Sequence, residues 1–195
     1  VGDLQLKMAK DRFMGRKALL DLVEKHSAIK EQGESWREFQ SQAVTAITGK
    51  AAETFRIEED SKYDTFKDDQ LGKDALAAVR AIQNGAKFVN IQYGGWDMHD
   101  NIDGGIRRQV PALDQGLAAL IADLDDRGML DSTLVCLASE FGRTPKINAN
   151  AGRDHWPKVF SVVMAGGGIQ KGMVYGSSNA TASEPEDNAL SVEDW

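Results

Sequence analysis

FVNIQYGGWDMHDN, residues 88–101, is a short apolar run followed at once by two glycines and a cluster of polar groups. The first six residues, rich in β-branched and aromatic side chains, read as a buried strand. Gly94 and Gly95 then turn the chain, and Asp97 and His99 follow directly. Upstream, Leu71, Ala75, Leu76, Val79 and Ile82 recur at helical spacing, and Asn84-Gly85 supply a stop. Downstream, Val110, Leu113, Leu117, Leu120, Ile121 and Leu124 line one face of a second helix, with Pro111 placed near its first turn and Gly128 just past its end. STLVCLA (132–138) is another apolar run of strand length. Strand, helix and strand in this order predict a βαβ unit with parallel strands and a right-handed crossover. The expected fold class is α/β.

The remaining composition is compatible with that class and removes others. A chain of 195 residues, 42% hydrophobic and 27% charged, can build a core and is neither disordered nor fibrous. Its net charge of -7, without a Lys/Arg cluster, argues against a nucleic-acid partner. No apolar run approaches the roughly 20 residues that span a bilayer. Cys136 is the single cysteine, so no intrachain disulfide can form; inside TLVCLA it reads as a small buried hydrophobe. VGDLQLKMAK at the start has neither an initiator Met nor an export segment, and SVEDW at the end looks like the beginning of an element. Residues 1–195 are therefore expected to be a single partial domain of a longer chain. Residues 1–70 read as a mainly helical flank or cap. Asp3 caps a helix running towards residue 30, Ser35 and Glu38 form a capping box ahead of Trp36, Phe39, Ala43, Val44 and Ile47, and Gly49 is a stop. EEDSKYDTFKDD (58–69) reads as an exposed connector with Tyr63 and Phe66 as candidate anchors. Residues 71–195 form the sheet portion that carries the site motifs.

In an open α/β sheet the loops after parallel strands gather at one edge, where ligands bind. Asp97 and His99 follow the first strand and 139–143 follow the second. GRDHWP (152–157) precedes the apolar run VFSVVMAGGG (159–168), so Asp154 and His155 reach the same edge if this third strand runs antiparallel to the second. Asp97, His99, Glu140, Asp154 and His155 then offer carboxylate and imidazole donors without thiolate, a set suited to a divalent ion such as zinc or manganese. Taken singly, an Asp-x-His or Asp-His pair more often caps a turn or satisfies a loop carbonyl; convergence of three clusters favours the metal. Arg143 is either a bidentate donor for phosphate or sulfate or a partner for Glu140. Trp96 and Trp156 either wall a pocket or pack around loops. His26 reads as a surface residue. The glycines at 166–168, with no G-K-[ST] ending, read as a strand-end turn rather than a phosphate loop.

GGWDMHDN, LASEFGRTPKIN, GRDHWPKVFSVVMAGGGI and GMVYG, in that order, closely resemble the bacterial family called domain of unknown function fifteen-oh-one, whose members are often labelled sulfatases. That family resembles a branch of the alkaline phosphatase superfamily. The resemblance implies a three-layer α/β/α fold with a mostly parallel sheet and one antiparallel strand, incomplete in this chain. It also implies a hydrolase of small phosphate or sulfate esters using one or two divalent metals, among zinc, manganese and calcium, with at most one weakly held ion expected here. By position, Asp97 and His99 resemble the first ligand pair. DSTLVCLASEFG resembles a segment that ends S-D-H-G in sulfatases: Glu140 replaces the acidic ligand, Phe141 takes the place of a histidine, and Asp154 and His155 supply ligands from the next loop. Arg143 is the catalytic candidate. The nucleophile of the superfamily has no counterpart before residue 85, and the export that the resemblance implies, to the periplasm or beyond, would need a signal outside this chain. Two functions are expected in competition: a partial metal-dependent ester hydrolase, and a non-catalytic metal-stabilised or anion-binding module, which Phe141 favours.

Overall fold

A computed structural model describes residues 6–25, 33–49, 51–191 and 193. The helix cap expected from Asp3 and the surface position expected of His26 lie outside these residues, as do the side chain of Ser35 and most of the element expected at the C-terminus. Among the described residues the first 70 are helical. α1 (Lys10–Lys25) and α2 (Gly33–Thr48) are followed by α3 (Ala51–Thr54), a 3-10 turn at Ile57–Glu59, and α4 (Tyr63–Phe66). Phe66 is only 2% exposed, so the acidic connector is anchored where its aromatic residue can leave water.

The stripe read at 71–82 belongs to α5 (Gln70–Gln83), in which Ala75, Leu76, Ala78 and Val79 are buried. Asp69 caps its start by accepting from the Gly72 amide at 2.8 Å. Its end has the paired bonds of a Schellman motif, Gly85 N to Ile82 O at 2.9 Å and Ala86 N to Ala81 O at 3.0 Å. α6 (Ile102–Asp126) ends the same way, with Gly128 N to Asp125 O and Met129 N to Leu124 O, both 2.8 Å. Its start corrects the expectation for Pro111. Asn101 caps the helix by accepting from Gly104 N at 3.3 Å, so Pro111 lies in the interior, where its missing N–H forfeits one helical hydrogen bond. No helix among the described residues is long and apolar enough to cross a membrane.

The chain forms two compact units, one of Val1–Tyr63 and Leu76–Asn90, the other of Asp64–Ala75 and Ile91–Trp195. In the first, Arg80 ties the short helical pieces together by donating to Thr54 O at 2.8 Å and Asp60 Oδ2 at 3.0 Å. In the second, Leu124, Leu130, Met98 and Phe66 are buried.

The α/β expectation is not met. FVNIQY (88–93) forms no strand, and Phe88 is 85% exposed. The described strands form three separate two-stranded ribbons, all antiparallel. β1 (Leu134–Leu137) pairs with β4 (Val163–Gly166), β2 (Gly142–Arg143) with β3 (His155–Trp156), and β5 (Ser177–Ser178) with β6 (Pro185–Asp187). A mostly parallel, three-layer, alkaline phosphatase-like sheet is therefore overturned. The physical reason is that an apolar, β-branched run favours extended backbone without specifying which neighbour completes its ladder. The antiparallel relation expected between 132–138 and 159–168 is the one observed, with Leu134 opposite Gly166 and Leu137 opposite Val163. The expected burial of Cys136 fails for the same reason: on β1 it alternates with Val135 and Leu137, and it shares an exposed face with Leu134.

Candidate metal centre

Asp97 and His99 lie in the irregular segment between Gly95 and α6. Gly95 has φ +91°, a backbone that disfavours any side chain, but the tight turn expected at Gly94-Gly95 does not form, and the chain there is irregular. Gln109 on α6 secures it by donating to Gly94 O at 3.2 Å, while the Tyr93 hydroxyl bonds Gln109 Oε1 at 2.7 Å. Met98 is buried between exposed Asp97 and exposed His99 and anchors the stretch that presents both.

His155 arrives by a different route, on β3 opposite Arg143 of β2. The two halves are laced by backbone bonds: Arg153 N to Met98 O at 3.0 Å, Asn101 N to Asn150 O at 3.1 Å, Ile102 N to Ala151 O at 2.9 Å, and a bridge pairing Asp100 with Ala151. Gly152 permits this approach, since a Cβ there would fall under 3.0 Å from the carbonyl carbon and oxygen of His99 and the amide nitrogen of Asp100.

Asp97 Oδ1, His99 Nε2 and His155 Nε2 form a triangle with sides of 3.0 Å (Asp97 to His99), 2.9 Å (Asp97 to His155) and 3.1 Å (His99 to His155). Bonds of about 2.0–2.2 Å to one first-row divalent ion place neighbouring donors about 3 Å apart, so the triangle has the size of one coordination face. His99 Nδ1 lies 2.8 Å from Asp154 Oδ1. His99 thus faces a carboxylate on each side, Asp154 at Nδ1 and Asp97 at Nε2, and when its one proton sits on Nδ1, at the shorter contact, neutral His99 presents a lone pair to the triangle. The neutral His155 ring can place at most one proton among these atoms. In that state lone pairs face one another there, a conflict that a further proton or a metal cation would relieve. Asp97, His99 and His155 form the converging group of possible ligands among the described residues.

The other expected site residues fall in different places. Asp154 approaches the far nitrogen of His99, where it orients the ring, and does not reach the triangle. Glu140 is exposed, and its carboxylate is not among the converging donors. Arg143 is not paired with Glu140; it donates from Nη2 to Asp97 Oδ1 at 2.6 Å and to Trp96 O at 3.2 Å, and from Nη1 to Arg153 O at 3.3 Å. Phe141 lies against His155, ring centroids 4.4 Å apart, as a packing surface for the imidazole. The tryptophans pack around loops: Trp96 meets Tyr93 edge-on at 5.7 Å, and Trp156 donates to Ser183 O at 2.8 Å.

The hydrogen bond from His155, then that from Arg143, hold the Asp97 carboxyl at about 2 against an ordinary 3.8. Asp154 is lowered as well, first by its bond to His99 and then by Asn148. A lowered carboxyl adds stability that is complete above its ordinary value and is lost as pH falls through the folded-state value. For Asp97 that window runs from 3.8 down to about 2. A carboxyl-carbon NMR titration of ion-free protein should place the Asp97 midpoint near 2, rising towards 3.8 in Arg143→Gln. A midpoint at 3.8 in both proteins would contradict the contacts described.

Asn148 was not singled out from the sequence, although INANAG (147–152) carries the Asn and Gly signals of a tight turn. Its Nδ2 donates to Asp154 Oδ1 at 3.1 Å and to His99 O at 3.0 Å. Comparison with known families matches residues 4–195 to one described as "Protein of unknown function (DUF1501)". No curated protein and no solved structure matches.

Proposed function

The chain belongs to the DUF1501 family of proteins of unknown function, and from its centre we propose that it holds one divalent transition-metal ion on Asp97, His99 and His155 and acts on small phosphate or sulfate esters as a metal-dependent hydrolase. The observation that carries this reading is the convergence of one carboxylate oxygen and two imidazole nitrogens within about 3 Å of one another. Two nitrogen donors suit zinc or manganese; calcium, which takes six to eight oxygen ligands, fits this set poorly. When bound, the ion would supply Lewis-acid charge to polarise an ester oxygen. Arg143, held beside Asp97 by two main-chain carbonyls, places a fixed positive charge at the rim for an anionic substrate. Asp154 keeps the proton of His99 on Nδ1 and away from the triangle.

A second reading, a metal-stabilised or anion-binding module without turnover, is favoured by one observation: the Arg143 guanidinium already donates to three protein oxygens, those of Asp97 Oδ1, Trp96 O and Arg153 O. Zinc- and manganese-loaded protein should be assayed against para-nitrophenyl phosphate and para-nitrophenyl sulfate. Hydrolysis that disappears with chelator and in Asp97→Ala supports the hydrolase. Metal uptake without hydrolysis supports the metal-stabilised module, and absence of uptake rejects every reading except anion binding alone. The family resemblance is the ground for placing this activity outside the cytoplasm, which fractionation of the producing cell would test.

A further inference from the structure

We propose that Asn148, which belongs to none of the ligand positions, is the positioning residue that decides which nitrogen of His99 is free for a cation. The inference rests on the metal reading of the Asp97, His99 and His155 triangle. For His99 to present a lone pair at Nε2, its proton must stay on Nδ1, where Asp154 Oδ1 at 2.8 Å holds it against the competing Asp97 Oδ1, 3.0 Å from Nε2. The Asp154 side chain is 55% exposed, and a carboxylate so open to water does not hold one rotamer by packing. Its backbone is fixed through Thr144, whose amide donates to Asp154 O at 2.9 Å and whose Oγ1 accepts from Asp154 N at 3.1 Å. What is left free is the side-chain torsion. Asn148 removes that freedom, because Nδ2 binds Asp154 Oδ1 at 3.1 Å and the His99 carbonyl at 3.0 Å and so ties the carboxylate to the residue whose ring it must meet.

The amide cannot serve equally well flipped. Nδ2 faces two acceptors, and Oδ1 accepts from the amides of Asn150 and Gly152, both at 2.9 Å, so each end of the side chain meets groups of the opposite kind. The turn that carries Asn148 is the same turn laced to 98–102, which couples its position to the loop bearing His99.

The test uses the full chain, metal-free and uniformly nitrogen-15 labelled, at a pH where the imidazoles are neutral. The imidazole spectrum should show His99 as a single Nδ1–H tautomer, becoming a mixture of tautomers in Asn148→Ala. Asn148→Asp keeps the oxygen that holds the turn but removes the Nδ2 donors, and should give the same mixture even if the alanine variant loosens the loop. In zinc titrations Asn148→Ala should weaken binding about 10- to 100-fold, the range typical of groups that orient a ligand, and should cause no further loss in an Asp154→Ala background. A pure Nδ1–H tautomer retained in both Asn148 variants would overturn the proposal. Equal weakening of zinc in both backgrounds would also overturn it, since that is the behaviour of a merely structural turn. If the wild type takes up no zinc, the metal reading falls, and the imidazole spectrum still decides the part played by Asn148.

Discussion

His155→Ala is expected to abolish the divalent-ion binding proposed for this centre. His155 Nε2 is one corner of the donor triangle, and the same nitrogen lies 2.9 Å from the Asp97 oxygen that forms the second corner. Its removal leaves two donors and withdraws a hydrogen bond that helps hold Asp97. Phe141, which packs on the imidazole at 4.4 Å, then loses that contact. Loss of a group that only orients a ligand costs about 10- to 100-fold in affinity, so loss of a ligand should exceed 100-fold. Zinc titration calorimetry checks this, with Glu140→Ala as the control expected to bind as the wild type does. Wild-type affinity in His155→Ala, or a comparable loss in Glu140→Ala, would contradict the assignment of ligands.

Gly152→Ala should disrupt the centre without replacing any of the proposed ligands. The added Cβ would meet backbone atoms of His99 and Asp100, and these cannot swing aside as a flexible side-chain end can. The loop must therefore back away, stretching the Asn101–Asn150 and Ile102–Ala151 bonds and separating Asp154 from His99. Forced overpacking of this kind costs about 1–3 kcal/mol, and in a domain of this size each kcal/mol lowers Tm by about 2–4 °C. A thermal melt and a zinc titration on the same preparation should show both losses together. An unchanged melt with wild-type affinity would mean that the two loops are not pressed together as described.

The elements that local chemistry determines were legible in the sequence. The stripe from Leu71 to Ile82 with Asn84-Gly85, and the far end of the second helix at Gly128, rest on periodicity and caps that need no distant partner. The sheet was not legible. FVNIQY carries a tendency to be extended, but pairing depends on which strand lies beside it, and β1 pairs with β4 instead. Pro111 misled because its preference for a first helical turn outweighed Asn101, a cap residue ten positions nearer the start of the helix. The site fared better than the fold that was meant to assemble it. Asp97, His99, Asp154 and His155 do meet, brought together by antiparallel lacing of 98–102 and 148–153 and not by parallel strand ends. What residue type could not separate is the ligand from the group that orients it: an aspartate beside a histidine serves either role, and only the nitrogen it faces distinguishes Asp154 from Asp97. Glu140 was drawn in by its place in a motif, whereas Asn148, an uncharged amide in a turn, had no motif to mark it.

The central claim is tested most directly by anomalous diffraction from crystals grown with manganese and measured on both sides of the manganese edge. One peak is expected within about 2.2 Å of Asp97 Oδ1, His99 Nε2 and His155 Nε2, with Asp154 on the opposite nitrogen of His99 and outside the coordination sphere. A peak bound through Asp154 or Glu140, or a crystal at saturating manganese with no peak at the triangle, would contradict it.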